Sequence, residues 1–207
     1  MAVQNDYRVR GYSVSDREPV AILSLSYDHP SGFYLSGTAI GSLAFSGARL
    51  PLGTIEEVGY ARRLAPTLSI DGGVTRSDFS QLYGYRAHYG YTQAYVGLIG
   101  KFVSGHVYYS PDYYRRGVST LYGEVDGTIE WVAKVRLNAH LGYLDYLHAP
   151  SAYGPEQDQY DWRIGASRPF GPFDVHAAVT GGGPGPDYDY GRLRSKTALV
   201  VGASWTF

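Results

Sequence analysis

The chain has 207 residues, enough for one large domain or one barrel, and a net charge of −1 from 18 Lys and Arg against 19 Asp and Glu residues. That balance gives no indication of a nucleic-acid partner. The absence of cysteine excludes disulfides, thiolate metal sites and cysteine nucleophiles. No stretch reaches the run of about 18 apolar residues that a membrane-spanning helix needs.

Apolar and polar residues alternate with a period of two along most of the chain, which predicts β-strands. In residues 121–131 the odd positions are apolar or Gly and the even positions are mostly polar, and residues 135–143 repeat this pattern. No segment sustains the spacing of three and four that an amphipathic helix requires. The predicted strands lie near residues 6–14, 19–28, 32–42, 54–63, 67–76, 90–100, 102–110, 117–130, 133–146, 158–168, 172–180 and 196–207.

The connections between these strands alternate in length. The short ones are residues 28–32, 64–66, 100–101, 131–132 and 169–172. Most of the longer ones are rich in Gly, Pro, Tyr and charge, and they are residues 43–53, 76–90, 110–117, 148–158 and 181–194. Bacterial outer-membrane barrels have short periplasmic turns, longer extracellular loops and an even number of strands. The sequence therefore predicts an all-β protein with one domain over 1–207, a transmembrane antiparallel up-and-down β-barrel of about twelve strands.

The last predicted strand is apolar on one face, with Leu199, Val201, Ala203, Trp205 and Phe207. Its other face is small or polar for the most part. Such a strand suits the end of an outer-membrane barrel, although a half-buried strand of a soluble sandwich has the same pattern. The two architectures are distinguished by the rest of the chain.

The aromatic residues, among them 21 Tyr, separate by end. One group flanks the short connections and comprises Tyr27, Phe33, Phe102, Trp131, Phe170, Phe173, Trp205 and Phe207. A second group gathers near the long connections and comprises Tyr83, Tyr85, Tyr89, Tyr91, Tyr108, Tyr109, Tyr113, Tyr114, Tyr146, Tyr153, Tyr160, Tyr188 and Tyr190. Two aromatic girdles are typical of a barrel in a membrane, so this separation favours the barrel.

The expected location is the bacterial outer membrane, with membrane lipid around the barrel and both termini in the periplasm. The chain opens on Met1-Ala2 and runs almost directly into strand-like sequence. We therefore expect a mature form from which an export signal has been removed.

Several segments resemble the TorF-type porin family of bacterial outer-membrane barrels. The opening Asp6–Pro19 is similar to that family's start, although Val14 stands where the family commonly has Gln. Residues 27–34 resemble its first turn, and residues 108–114 resemble its "YYSxDY" segment. The closing strands, with Asp161–Gly165 and the terminal Trp205-Thr206-Phe207, are also similar. The resemblance implies an outer-membrane barrel classed as a porin largely by fold, with no substrate and no catalytic residues to transfer.

Charged residues are predicted to face the lumen, because a charge facing lipid near the bilayer midplane costs about 2–4 kcal/mol. By this parity Val125, Ile129, Leu137 and Leu141 face lipid. The predicted pore-lining residues are Arg8, Arg10, Asp71, Glu124, Asp126, Glu130, Lys134, Arg136, His140, Asp161, Arg163, Asp174 and His176. They could form a charged pore that selects solutes, or acidic and basic rows on neighbouring strands could pair and fill a narrow barrel.

An enzymatic function is not expected. No Ser/His/Asp constellation has outward parity, where an outer-membrane lipase would need it. His106, His140 and His176 have inward parity but lie on alternate strands, so a three-histidine metal site is disfavoured. We expect no catalytic residue, no cofactor and no bound metal.

The predicted function is a porin-like channel for passive diffusion of small hydrophilic solutes or ions. The alternative is a non-conducting barrel that binds a partner or acts as a scaffold through its Tyr-rich extracellular loops. The sequence does not indicate which solute passes, whether the lumen is open, or whether barrels associate into oligomers.

Overall fold

A computed structural model of the protein describes residues 1–43, 51–79, 89–150, 158–183 and 197–207. Within these residues, twelve antiparallel strands close into a barrel and two short strands form a separate hairpin. The barrel strands are β1 (Ala2–Gln4), β4 (Val20–Asp28), β5 (Phe33–Ser42), β6 (Gly53–Ala65), β7 (Leu68–Phe79), β8 (Tyr89–Gly100), β9 (Val103–Ser110), β10 (Ser119–Glu130), β11 (Arg136–His148), β12 (Gln159–Phe170), β13 (Phe173–Gly183) and β14 (Ala198–Ser204). The hairpin consists of β2 (Arg8–Val9) and β3 (Tyr12–Ser13), and a 3₁₀ turn covers Val132–Lys134.

No helix in the described part of the chain is long and apolar enough to cross a membrane.

The closed antiparallel barrel confirms the predicted fold class, and every predicted strand except the first is found within a few residues of its expected bounds. The first prediction is wrong, because residues 6–14 do not form a wall strand. Tyr7 and Val9 alternate with Arg8 and Arg10 as a wall strand would, but Arg10 has a φ of 49° and Gly11 a φ of 79°. These left-handed conformations form a turn that reverses the chain.

The wall is closed by the short strand β1, which pairs with β14 on one side and β4 on the other. Ala2 faces Ser204 of β14 and Ile22 of β4. The N-terminal ammonium of Met1 donates a hydrogen bond to the Trp205 carbonyl at 2.8 Å, and the Trp205 N–H donates to the Met1 carbonyl at 2.9 Å. The edges of the first and last strands are therefore both paired.

The outer face of the wall is apolar. Val125, Ile129, Leu137 and Leu141 are all exposed on this face, as the parity predicts, with 67% of Leu141 accessible. Residues that pair across neighbouring strands lie on the same face, and Val125 of β10 is paired with Leu141 of β11 on the outer face. An apolar outer face of this extent is typical of barrels that lie in a membrane.

The buried apolar core lies inside the barrel, at the end that carries the long connections. Phe79 is the last residue of β7, and Leu52 and Val118 immediately precede β6 and β10. All three side chains are at most 3% exposed. Val14, which follows β3, belongs to the same cluster. The hairpin therefore packs within the barrel and forms part of its interior.

The two predicted aromatic girdles differ in outcome. Around the short turns all of the rings except the half-buried Trp205 are exposed, and Trp131, Phe170 and Phe207 are each more than 60% accessible. At the opposite end Tyr109 and Tyr160 are exposed. Tyr91 and Tyr113 are buried inside the barrel, and Tyr108, Tyr114 and Tyr146 pack against the same core, so the second girdle is wrong for these five. The side chains outside the described residues are those of Tyr83, Tyr85, Tyr89, Tyr153, Tyr188 and Tyr190.

Candidate functional site

Residues 5–19, the luminal hairpin, leave the wall after Gln4 and rejoin it at Val20, and these two residues pair directly. Asn5 stays against β14, where its backbone N–H donates to the Val201 carbonyl at 3.1 Å. The Asn5 side chain continues this pairing, because its Nδ2 donates to the Leu199 carbonyl at 3.0 Å and its Oδ1 accepts from the Val201 N–H at 2.8 Å. A side-chain amide thus extends the wall as the chain turns inward.

Asp6 organises the luminal hairpin and is 2% exposed. It accepts hydrogen bonds from Arg8 Nε at 2.7 Å, Ser13 Oγ at 2.5 Å and Ser15 Oγ at 3.1 Å. Arg8 Nη1 in turn donates to the Gly11 carbonyl at 2.6 Å. A buried carboxylate needs such compensation, so these contacts explain why the segment adopts one fold inside the barrel.

Arg10 lies at the tip of the hairpin among aromatic rings. Its guanidinium carbon is 3.9 Å from the ring centroid of Tyr122, 5.1 Å from that of Tyr113 and 5.7 Å from that of Tyr91. Its Nη2 also donates to Gln93 Oε1 at 2.9 Å. We refer to Tyr91, Tyr113 and Tyr122 as the tyrosine cage. Each of the three distances from the guanidinium carbon to a ring centroid is within the range of a cation–π interaction.

Two tyrosines at the hairpin, Tyr7 and Tyr113, have raised pKa values. Burial raises the pKa of Tyr7 to about 12, and burial also raises the pKa of Tyr113, which lies in the connection between β9 and β10. Both hydroxyls stay protonated near neutral pH. Tyr113 therefore faces the Arg10 guanidinium as a neutral ring.

On the inner wall, carboxylates and tyrosines form hydrogen-bonded pairs from β5 to β12. Each pair has a Tyr hydroxyl donating to a carboxylate oxygen. We call this set the carboxylate–tyrosine belt. The pairs are Tyr95 with Glu57 at 2.5 Å, Tyr34 with Asp71 at 3.4 Å, Tyr108 with Glu124 at 2.9 Å and Tyr122 with Asp161 at 3.0 Å. The belt therefore places four acidic side chains on the inner wall.

His140 of β11 lies between two carboxylates. Its Nδ1 is 3.0 Å from Asp126 Oδ1 and its Nε2 is 2.9 Å from Asp161 Oδ1. Both ring nitrogens must donate to satisfy these contacts, which requires the doubly protonated, positively charged ring. Arg163 Nη2 also lies 3.5 Å from Asp126 Oδ1. This part of the wall therefore has paired acidic and basic groups, as the pairing alternative anticipated.

A cavity of about 520 Å³ separates the luminal hairpin from this wall. It is lined by residues of the hairpin and of the belt, together with small residues of β13 and β14. Eight of the predicted pore-lining residues border it: Arg8, Arg10, Glu124, Asp126, His140, Asp161, Arg163 and His176.

The remaining predicted residues lie elsewhere. Asp71 belongs to the belt, where His106 Nε2 approaches its Oδ1 at 3.3 Å. Arg136 and Asp174 form an ion pair near the short turns. Glu130 ends β10 and is exposed. Lys134 is exposed in the 3₁₀ turn and not on a strand, because β11 begins at Arg136 and not near residue 133.

Sequence reasoning missed Glu57 and the inward tyrosines Tyr34, Tyr95 and Tyr122. Inward parity on β6 would have identified Glu57, since it lies two residues from the buried-side position Ile55. The sequence alone does not separate luminal tyrosines from tyrosines of a membrane interface, because a Tyr fits both environments.

A metal site could draw on Glu124, Asp126 and His140, whose ligand atoms lie within 4.8 Å of one another. The set includes just one of the three histidines considered in the sequence. Both nitrogens of His140 already contact carboxylates, so an ion would have to displace one of these contacts. His140 therefore forms ion pairs with Asp126 and Asp161.

Residues 1–203 match the profile of the Gcw_chp family, described as a bacterial protein of unknown function. The chain belongs to this family. The match covers nearly the whole barrel, including the luminal hairpin. A comparison with curated protein sequences gives no match.

Solved structures with the same fold include porins. A NanC porin in a rhombohedral crystal form superposes with a TM-score of 0.65 at 12% identity, and a KdgM porin with a TM-score of 0.59 at 14% identity. A KdgM porin in complex with disordered oligogalacturonate gives a TM-score of 0.58 at 15% identity. In each case the similarity covers 100% of this chain and 99% of the other chain. This family member therefore has the fold of a porin.

Proposed function

We propose that this protein is an outer-membrane porin-like channel for the passive diffusion of small hydrophilic solutes or ions. The observation that carries the proposal is a closed barrel with an apolar outer face and a charged cavity of about 520 Å³ inside. A wall of this kind separates lipid from a polar interior. The fold shared with porins supports the same function.

The predicted pore-lining residues are part of this proposal. Arg136, with Asp174, would contribute to the field near the short turns, which we place in the periplasm together with both termini. Arg163, Asp126 and His140 would act deeper in the lumen. We also propose that the TorF-type resemblance reflects a shared porin function.

The solute class can be narrowed by charge. One structural neighbour was solved with oligogalacturonate, an acidic oligosaccharide. In this chain the belt places Glu57, Asp71, Glu124 and Asp161 on the wall, and like charges repel a polyanion. We therefore propose that small cations and neutral solutes pass more readily than acidic oligosaccharides.

A non-conducting barrel that acts through its extracellular loops is the second candidate. The luminal hairpin favours it, because the hairpin packs inside the barrel at the end of the long connections. If it blocks the lumen completely, the surface formed by those connections would carry the function.

Conductance of the purified protein in planar bilayers distinguishes the two functions. We expect discrete current steps, and we expect Arg136→Glu to shift the reversal potential in a KCl gradient toward cation preference, because it replaces a positive group with a negative one. A matched control is Arg168→Glu, on the outward side of β12. Silent bilayers from folded protein would contradict the channel and support the binding function.

A further inference from the structure

Arg10 has the surroundings of a bound organic cation. The tyrosine cage provides three rings within 6 Å of its guanidinium carbon, and Tyr122 lies directly beneath it at 3.9 Å. Among the described residues, no carboxylate forms a salt bridge with Arg10, whereas Arg8 of the same hairpin pairs with Asp6. The cage therefore holds the cation with ring faces and the Gln93 amide.

Aromatic rings arranged in this way recognise guanidinium and alkylammonium groups, because the face of each ring is electronegative. The cage is built mainly by the barrel, since Tyr91 lies on β8 and Tyr122 on β10, and Tyr113 lies between β9 and β10. Tyr91 and Tyr113 also contact each other, with 4.8 Å between ring centroids. The cage is therefore a feature of the wall, and the hairpin supplies its occupant.

The occupant is held on a strained segment. Arg10, Asp16 and Arg17 all have positive φ, between 49° and 64°, a conformation that residues other than Gly rarely adopt. Gly11 follows Arg10 and lies so close to β13 that a Cβ at this position would be 2.8 Å from the Gly181 carbonyl oxygen. Contacts around Arg10 and Asp6 must compensate for this strain.

The charges near the cage fit a cation. Asp161 accepts a hydrogen bond from the Tyr122 hydroxyl, and Glu124 also lines the adjoining cavity. The opposing groups are His140 and Arg163, which contact Asp126, and Arg8, which contacts Asp6. Each of these positive groups contacts a carboxylate, so among the described residues Arg10 is the cation that the cage contacts.

We propose that the tyrosine cage is a binding site for organic cations with a guanidinium or alkylammonium group, and that Arg10 occupies it as a tethered ligand. A solute carrying such a group competes with Arg10 and releases the tip of the luminal hairpin. The effect of release on conduction rests on the proposed channel function, but binding to the cage does not.

Binding is tested by isothermal titration of methylguanidinium chloride into the full-length protein in detergent, with NaCl titrated at the same ionic strength. Arg10→Ala vacates the cage, and we expect it to bind methylguanidinium at least tenfold more tightly than the unaltered protein. Arg17→Ala is the matched control, because Arg17 is exposed on the same hairpin. Adding Tyr122→Leu to Arg10→Ala should abolish the binding.

The proposal is overturned if Arg10→Ala binds methylguanidinium no more tightly than Arg17→Ala, or if loss of Tyr122 leaves the affinity unchanged. Circular dichroism and the gel mobility of unheated samples report folding. If Arg10→Ala does not fold, Arg10→Lys keeps a smaller cation in the cage. This variant should bind the probe more tightly than the unaltered protein, and equal affinity would overturn the proposal.

Bilayer recordings then separate this site from the channel function. We expect methylguanidinium to alter the conductance of the unaltered protein with a saturable concentration dependence, and sodium at equal concentration to have no such effect. Binding to Arg10→Ala in detergent with silent bilayers would retain the cage and reject the channel. Current steps without probe binding would retain the channel and reject the cage.

Discussion

At the scale of the residue, orientation across the wall determines what a side chain must be. Leu141 is 67% exposed on the outer face, whereas Asn138 on the same strand faces Gly165 on the inner side. Asp161 and His140 lie inward and pair with each other at 2.9 Å. Alternation along a strand makes His140 and Leu141 chemically opposite although they are adjacent in sequence.

We expect Leu141→Arg to destabilise the barrel in lipid by about 2–4 kcal/mol, because the guanidinium would face the hydrocarbon near the middle of β11. The control is Asn138→Arg, which places the same charge on the luminal side of β11 and should change stability much less. Reversible denaturant unfolding in lipid vesicles measures both. If Asn138→Arg were the more damaging, the assignment of the two faces would be reversed.

At the scale of the element, the alternation of residue types predicted all the long strands. The pattern of residues 121–131 predicted β10, because most inward-facing residues there are polar and follow an outward-facing apolar residue or Gly. The luminal hairpin could not be predicted in this way, because Arg8, Val9 and Arg10 alternate as a wall strand does. The hairpin is distinguished by contacts between residues that are not neighbours in sequence. Asp6 accepts hydrogen bonds from Ser13 and Ser15, and Arg10 contacts tyrosines some 80 to 110 residues away. Period-two reasoning contains no information on such contacts.

Gln4 and Val20 pair directly, so the two strands that flank the luminal hairpin can be joined by a tight turn. We expect replacement of residues 6–19 by a single Gly, which leaves an Asn5-Gly turn between β1 and β4, to give a folded barrel. Its single-channel conductance should exceed that of the unaltered protein, because the interior near the long connections is vacated.

The control for this replacement is Arg17→Ala, which keeps the hairpin and should keep the original conductance. An unchanged conductance in the folded deletion variant would mean that the hairpin does not limit the current.

The carboxylate–tyrosine belt is a property of the whole barrel. Its four acids come from strands β6, β7, β10 and β12, so no single strand reveals it. From the sequence alone, inward parity predicts Asp71, Glu124 and Asp161 only as pore-lining residues. The hydroxyl partners depend on strand register, which brings Tyr108 opposite Tyr122 and Tyr95 opposite Tyr108.

We expect the triple variant Glu57→Gln, Asp71→Asn and Glu124→Gln to fold, because each amide oxygen still accepts the hydrogen bond of its Tyr. Its preference for cations over anions, measured from the reversal potential in a KCl gradient, should fall because three negative charges are removed. Glu56→Gln, on the exposed outer side of β6, is the control and should have a small effect. An unchanged reversal potential in the triple variant would show that ions do not pass along the belt.

The pairing of Ala2 with both Ser204 and Ile22 has a consequence for how the chain reaches its native state. Ala2 and Ser204 are almost the full length of the chain apart, so the ring cannot be completed before β14 is in place. Until then β4 and β14 both present unpaired edges that invite pairing with another chain. Contacts between residues this distant in sequence slow folding, since they bring together the ends of a very long loop. Assembly should therefore be nearly all-or-none, with Met1 and Trp205 joining last.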